Sequence, residues 1–104
     1  MTQQAELYDR GMMYGGQWHE ARSGEVFASI DPAEGSAVGH APQGGKADAT
    51  AAIDAAAAAY PAWSAMSAAQ RALHLHRLAE ALEARRDALA RLIVREEGKP
   101  LAEA

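Results

Sequence analysis

The 104-residue chain contains no cysteine. That absence excludes disulfides, thiolate metal sites and a cysteine nucleophile within these residues. Aromatic side chains are scarce, with one Phe, two Trp and three Tyr. Much of the 49% apolar fraction is alanine, which adds little area per residue, so a core built from this chain alone is thin. No apolar run approaches the ~18 residues a bilayer span requires, and the start of the chain lacks the apolar centre of a signal peptide. A basic excess is missing too. Ten Lys and Arg stand against fourteen Asp and Glu, which argues against nucleic acid as a partner. A soluble cytoplasmic protein of at most one domain is the expectation. At this length a compact domain buries roughly 60–70% of its unfolded surface.

The charges are uneven. Residues 1–66 carry three basic and eight acidic side chains, and residues 67–104 carry seven and six. The second part therefore reads as a solvated helical face of mixed sign.

Residues 1–10 are polar and read as a disordered N-terminus, with folded structure expected from 11 to 104. Gly15-Gly16 lies between two short stretches around Met13 and Trp18 and suits a tight hairpin turn. Val26, Ala28 and Ile30 alternate with Phe27 and Ser29, the period of a strand. Asp31-Pro32-Ala33-Glu34-Gly35 supplies a turn, and Ala37-Val38-Gly39-His40 reads as the returning strand. A small antiparallel sheet between residues 12 and 41 follows.

The period then changes. Asp48 opens or caps an alanine-rich helix over 48–60, and Pro61 is expected to stop it. Ser67 with Gln70 three residues on is a capping box for a second helix over 68–84. Leu75, Leu78 and Leu82 share one stripe of that helix. The stripe breaks at Arg85-Arg86-Asp87, so a kink is expected there, and it restarts as Leu89, Leu92 and Ile93 in a third helix over 86–97. Gly98 is the C-cap. Pro100 breaks the pattern, and a further helix-like stretch opens at Leu101 and runs to Ala104, which suggests the front of something longer. The fold class is α+β: a small antiparallel sheet plus about three helices.

Constellations that could carry chemistry fail on spacing. In Gly39-His40-Ala41-Pro42-Gln43-Gly44-Gly45-Lys46-Ala47, a phosphate loop needs glycine where His40 stands and Ser or Thr where Ala47 stands. A strand-to-helix loop is the reading that survives. His74 and His76 are two apart and point to different helix faces, so they share no metal; His76 and Glu80 could pair weakly. Trp18 and Trp63 read as core anchors. Glu96-Glu97 sits at a helix C-terminus, where the dipole disfavours acids, a conflict that hints at a partner for at least one of them, with surface solvation the plainer reading. Ser23, Ser29, Ser36, Ser64 and Ser67 have no evident histidine base.

The ordered set of Gly15-Gly16-Gln17-Trp18, the Asp31-Pro32…Gly35 turn, the helix ending Tyr60-Pro61-Ala62-Trp63, Arg71 with Leu75 and Leu78, and Glu97-Gly98-Lys99-Pro100-Leu101 resembles the N-terminal region of the aldehyde dehydrogenase superfamily. The resemblance covers residues 11–104 and is nearest the bacterial semialdehyde-type members. It implies part of an α/β enzyme with a Rossmann-like NAD or NADP domain, a catalytic domain and an oligomerisation arm. The nucleophilic cysteine, the glutamate base, the oxyanion-hole asparagine and the cofactor lysine lie downstream in that family. No catalytic or cofactor-binding residue is therefore carried over, and no strand–Gly-rich loop–helix unit for a dinucleotide is expected. One site is implied. Several members hold a monovalent cation between backbone carbonyls before the turn proline and an acid two residues before Gly-Lys-Pro. The matching positions are Ser29, Ile30 and Glu96, with Glu where Asp is common, and oxygen ligands suit a hard cation.

Two functions compete. One is an N-terminal fragment of an NAD(P)-dependent aldehyde dehydrogenase, not catalytic by itself, whose partner is the remainder of the enzyme or an oligomer mate. The other is a non-enzymatic interaction module derived from that family.

Overall fold

The computed structural model describes residues 9–104. The expected disorder of residues 1–8 lies outside the described residues. Asp9 and Arg10 are already tied down, since the Arg10 amide donates to the His40 carbonyl at 3.2 Å. The order is β1 (Met12–Tyr14), β2 (Gln17–His19), β3 (Val26–Ile30), β4 (Ala37–Pro42), α1 (Lys46–Ala65), α2 (Ala68–Ala84) and α3 (Arg86–Glu97).

The sheet is divided into two antiparallel hairpins, β1-β2 and β3-β4. Gly15 and Gly16 take φ of 61° and 76°, the doubly positive turn whose twist matches its strands. Between the hairpins the chain is diverted. The Gly24 amide closes a turn onto the Ala21 carbonyl at 2.9 Å, and the Arg22 amide is drawn to Asp48 at 3.1 Å. This diversion keeps β2 from pairing with β3. In the second hairpin Ser29 pairs Gly39 and Ile30 pairs Ala37, so Val38 is the extra residue of a bulge. A bulge puts successive residues on the same side, and Val38 and Gly39 are both buried. Asp31 Oδ1 accepts from the Ala33 and Glu34 amides and builds the β3-β4 turn.

The first helix is longer than the sequence suggests. Gly45 is its N-cap and Pro61 lies inside it. Proline removes one donor and leaves one carbonyl without an intrahelical partner. Residues 56–65 are exposed, so water can satisfy that carbonyl and the helix continues to Ala65. Ser67 and Gln70 form the reciprocal capping pair that opens α2, at 3.2 and 2.9 Å. Arg85, at φ −111° and ψ 13°, separates α2 from α3, which is the expected kink. Gly98 ends α3 in the left-handed region at φ 77°.

The core is thin. Among the described residues the buried apolar side chains are Ala21 and Val38. The radius of gyration is 17.3 Å, against about 13 Å for a compact domain of this length. The hairpins and helices form a frame whose apolar faces are turned outward.

Candidate functional site

Asp48 is the best-determined polar centre. Its side chain is buried at 4% exposure. One carboxylate oxygen accepts from the Gly45 amide at 2.9 Å and the other from the Arg22 amide at 3.1 Å. Asp48 is the third residue of α1, where a negative charge meets the helix's free amides. The same carboxylate clamps the β2-β3 connection to the helix start. Its pKa is held below the ordinary value, first by the Gly45 hydrogen bond, with Arg22 helping and burial opposing. Gly44-Gly45 forms the expected strand-to-helix loop, between β4 and α1. Its amide end is already filled by an internal carboxylate, and Gly44 lies against the Met12 sulfur at 3.2 Å from a would-be Cβ. That arrangement repels a phosphate, so the strand-to-helix loop reading holds.

A second polar group lies at β4. Asp9 Oδ1 accepts from the His40 amide at 2.8 Å and meets His40 Nδ1 at 2.8 Å. The His40 side-chain hydrogen bond lowers the Asp9 pKa. An open groove of about 460 Å³ beside this pair is lined by Asp9, Arg10, Glu20, Glu25, Val26 and Pro42, among others.

The residues implied for a cation are placed as follows. Ser29 and Ile30 end β3 at the register shift, and Glu96 is an exposed residue in the last turn of α3. The turn after β3 and the end of α3 meet, since a Cβ built on Gly98 would stand 3.2 Å from Pro32 Cγ. Two carbonyls and one carboxylate are hard oxygen donors and fit a monovalent cation in type. Among the described residues no cluster of three His, Cys, Asp or Glu could hold a metal ion.

The serines and histidines go to different places. Ser23 Oγ accepts from the Glu25 amide, Ser64 donates to the Pro61 carbonyl and Ser67 caps α2. His19 lies on Tyr14 with ring centroids 3.7 Å apart, and His74 meets Trp63 at 5.8 Å. The sequence reading missed the Trp63–His74 contact, the Asp9–His40 pair and the double role of Asp48. An acid three residues after Gly45 was the one local signal that could have exposed the last of these. No described helix is long and apolar enough to cross a membrane.

The large apolar side chains are mostly outside. Leu75, Leu78 and Leu82 are 59%, 56% and 52% exposed. Trp18, Trp63, Ile53, Tyr60 and Phe27 are exposed as well, so neither Trp18 nor Trp63 is a core anchor.

Comparison with known proteins explains such a frame. The Aldehyde dehydrogenase family model matches residues 18–104. Glutarate-semialdehyde dehydrogenase of Pseudomonas putida is 40% identical over 100 residues, which make up 96% of this chain and 21% of that protein. NADP-dependent succinate-semialdehyde dehydrogenase of Escherichia coli K12 is equally similar, with the same coverage. Among solved structures, an NAD-dependent aldehyde dehydrogenase from Sinorhizobium meliloti superimposes with a TM-score of 0.90 at 31% identity, covering 94% of this chain and 20% of that one. The chain thus spans about one fifth of the length of the relatives it matches. It belongs to the aldehyde dehydrogenase family and corresponds to an N-terminal segment of its members.

Proposed function

We propose that this chain is the N-terminal segment of a cytoplasmic NAD(P)-dependent dehydrogenase that oxidises a semialdehyde to a carboxylate, and that it performs no catalysis by itself. The carrying observation is 40% identity to two semialdehyde dehydrogenases across 96% of the chain. The residues here supply structure for that reaction rather than its chemistry. Asp48 locks the hairpins to α1, and Gly98 seats the end of α3 on the β3-β4 turn. Oxidation of an aldehyde through a covalent intermediate starts with an activated nucleophile adding to the carbonyl, and the chain has no cysteine. Ser23, Ser64 and Ser67 are engaged in local backbone contacts. The nicotinamide accepts the hydride in such a reaction; its binding residues belong to other parts of the enzyme.

The Ser29 and Ile30 carbonyls with the Glu96 carboxylate are proposed to hold a monovalent cation. It would pin the end of β3 to the end of α3. The junction of Pro32 with Gly98 supports this, and a bound cation would answer the acid at the α3 C-terminus.

The test is a graft. This chain replaces the matched segment of the Pseudomonas putida glutarate-semialdehyde dehydrogenase, and reduced cofactor is followed with glutarate semialdehyde and with NAD or NADP. The graft is expected to turn over, and the purified chain alone to give none. A folded but inactive graft, or turnover by the chain alone that scales with its concentration, overturns the reading.

A further inference from the structure

We propose that Met12 is an oxidation site: a hydroperoxide converts its thioether to the sulfoxide, and the product loosens the first hairpin from the start of α1. The chain has no cysteine, so its four methionines carry all of its sulfur. Met12, Met13 and Met66 lie among the described residues, in different settings. Met13 is 53% exposed. Met12 and Tyr14 are half-buried on the other face of β1. Met66 is the half-buried C-cap of α1.

Met12 is therefore reachable and packed at once. Its sulfur lies 3.2 Å from a would-be Cβ on Gly44, a seat that depends on that residue having none. The next amide, that of Gly45, is held by Asp48 at 2.9 Å, and the other oxygen of Asp48 takes the Arg22 amide at 3.1 Å. Met12 thus packs against the loop that carries the Asp48 clamp. The hairpin touches α1 again at its turn, where a Cβ on Gly15 would stand 3.8 Å from Ala55 Cβ. There is little room to withdraw. A Cβ on Gly11 would stand 2.8 Å from the His19 carbonyl oxygen, so the chain leading into β1 is already pressed against β2.

In the reaction the sulfur lone pair attacks the hydroxyl oxygen of the hydroperoxide. An S–O bond forms, the O–O bond breaks, and the proton of the attacked oxygen passes to the departing one, which leaves as water or an alcohol. Sulfur loses two electrons and the peroxide gains them. The product is polar where the thioether was apolar and adaptable. Its oxygen is a hydrogen-bond acceptor beside a loop whose clamp donors, the Gly45 and Arg22 amides, already serve Asp48. Met12 must shift off Gly44, or its oxygen must compete with Asp48 for those amides. Either movement opens the same junction.

The experiment uses the graft of this segment into the Pseudomonas putida relative, where β1 and α1 belong to a whole enzyme. The graft is treated with graded hydrogen peroxide, and peptide mass mapping follows each methionine. Met12 is expected to be oxidised, more slowly than Met13. Amide hydrogen exchange then reads the junction locally. Peptides covering residues 20–25 and 44–50 should exchange about three- to tenfold faster once Met12 is oxidised, the factor that half of a methionine's burial is worth. Met12→Leu keeps the volume without the sulfur and should abolish the acceleration, whereas Met13→Leu should retain it. A Met12 that stays reduced while Met13 is consumed, unchanged exchange with Met12 oxidised, or equal acceleration in Met12→Leu each overturns the inference. Neither readout needs turnover, so an inactive graft counts against the proposed function and leaves this test standing.

Discussion

Alanine at position 98 tests the junction that joins the helical layer to the hairpins. Gly98 has φ 77°, and so nearly do Gly24 at 75° and Gly35 at 73°. An L-residue in that left-handed region costs about 1–2 kcal/mol, so all three Gly→Ala changes share this strain. The surroundings separate them. A Cβ at Gly24 or Gly35 meets nothing within 4 Å, whereas at Gly98 it stands 3.2 Å from Pro32 Cγ. Unstrained carbons sit at about 3.5–4.0 Å, so the proline ring or the helix end must yield. Overpacking of this kind adds about 1–3 kcal/mol. Gly98→Ala should therefore destabilise by about 2–5 kcal/mol, and Gly24→Ala by about 1–2 kcal/mol. The assay is urea unfolding of the graft of this segment into the Pseudomonas putida relative, where the segment has its packing partner, followed by far-ultraviolet circular dichroism. Pro32→Ala combined with Gly98→Ala should recover the crowding share and leave the backbone strain. Equal costs at positions 24 and 98, or no recovery in the double variant, would refute the reasoning.

Three further outcomes follow from the same structure. Asp48 has a lowered pKa in the fold, so its contribution is present above the unfolded carboxylate's value and is lost as pH falls through the folded one. Acid unfolding below about pH 4 should flatten in Asp48→Asn, which also lowers stability at pH 7, as read from urea midpoints across pH. At neutral pH the isolated chain should self-associate, because three leucines about half exposed forgo roughly 2–4 kcal/mol of burial. Sedimentation velocity reads this, and a monomer with a sharp two-state melt in dilute solution contradicts it. In the active graft, potassium should raise the melting temperature relative to an equal concentration of tetramethylammonium, and Glu96→Gln should abolish the difference; a shift that persists in the variant removes Glu96 from the cation proposal.

Local rules carried a large part of the fold. Gly15-Gly16 and Asp31-Pro32…Gly35 are turns whose chemistry is written in adjacent residues. So are the Ser67–Gln70 capping pair and the left-handed Gly98. The break near Arg85 was legible because charged residues interrupt an apolar stripe at helical spacing. Pro61 misled, since its effect depends on whether water reaches the freed carbonyl, and exposure is a property of the whole molecule.

The sequence by itself determined the element order, the family through its ordered motifs, and the absence of a thiolate from these residues. Tertiary structure alone decided what long-range contacts do. Asp48 reaches Arg22 across 26 residues, and Asp9 reaches His40 across 31; nothing in either neighbourhood names its partner. It also decided which apolar residues stay outside. Periodicity says that Leu75, Leu78 and Leu82 share a face, but burial depends on what packs against that face, and within these residues nothing covers it. The physical reason is one of range: turns and caps are set by neighbours in the chain, whereas clamps and faces are set by residues that only the fold brings together.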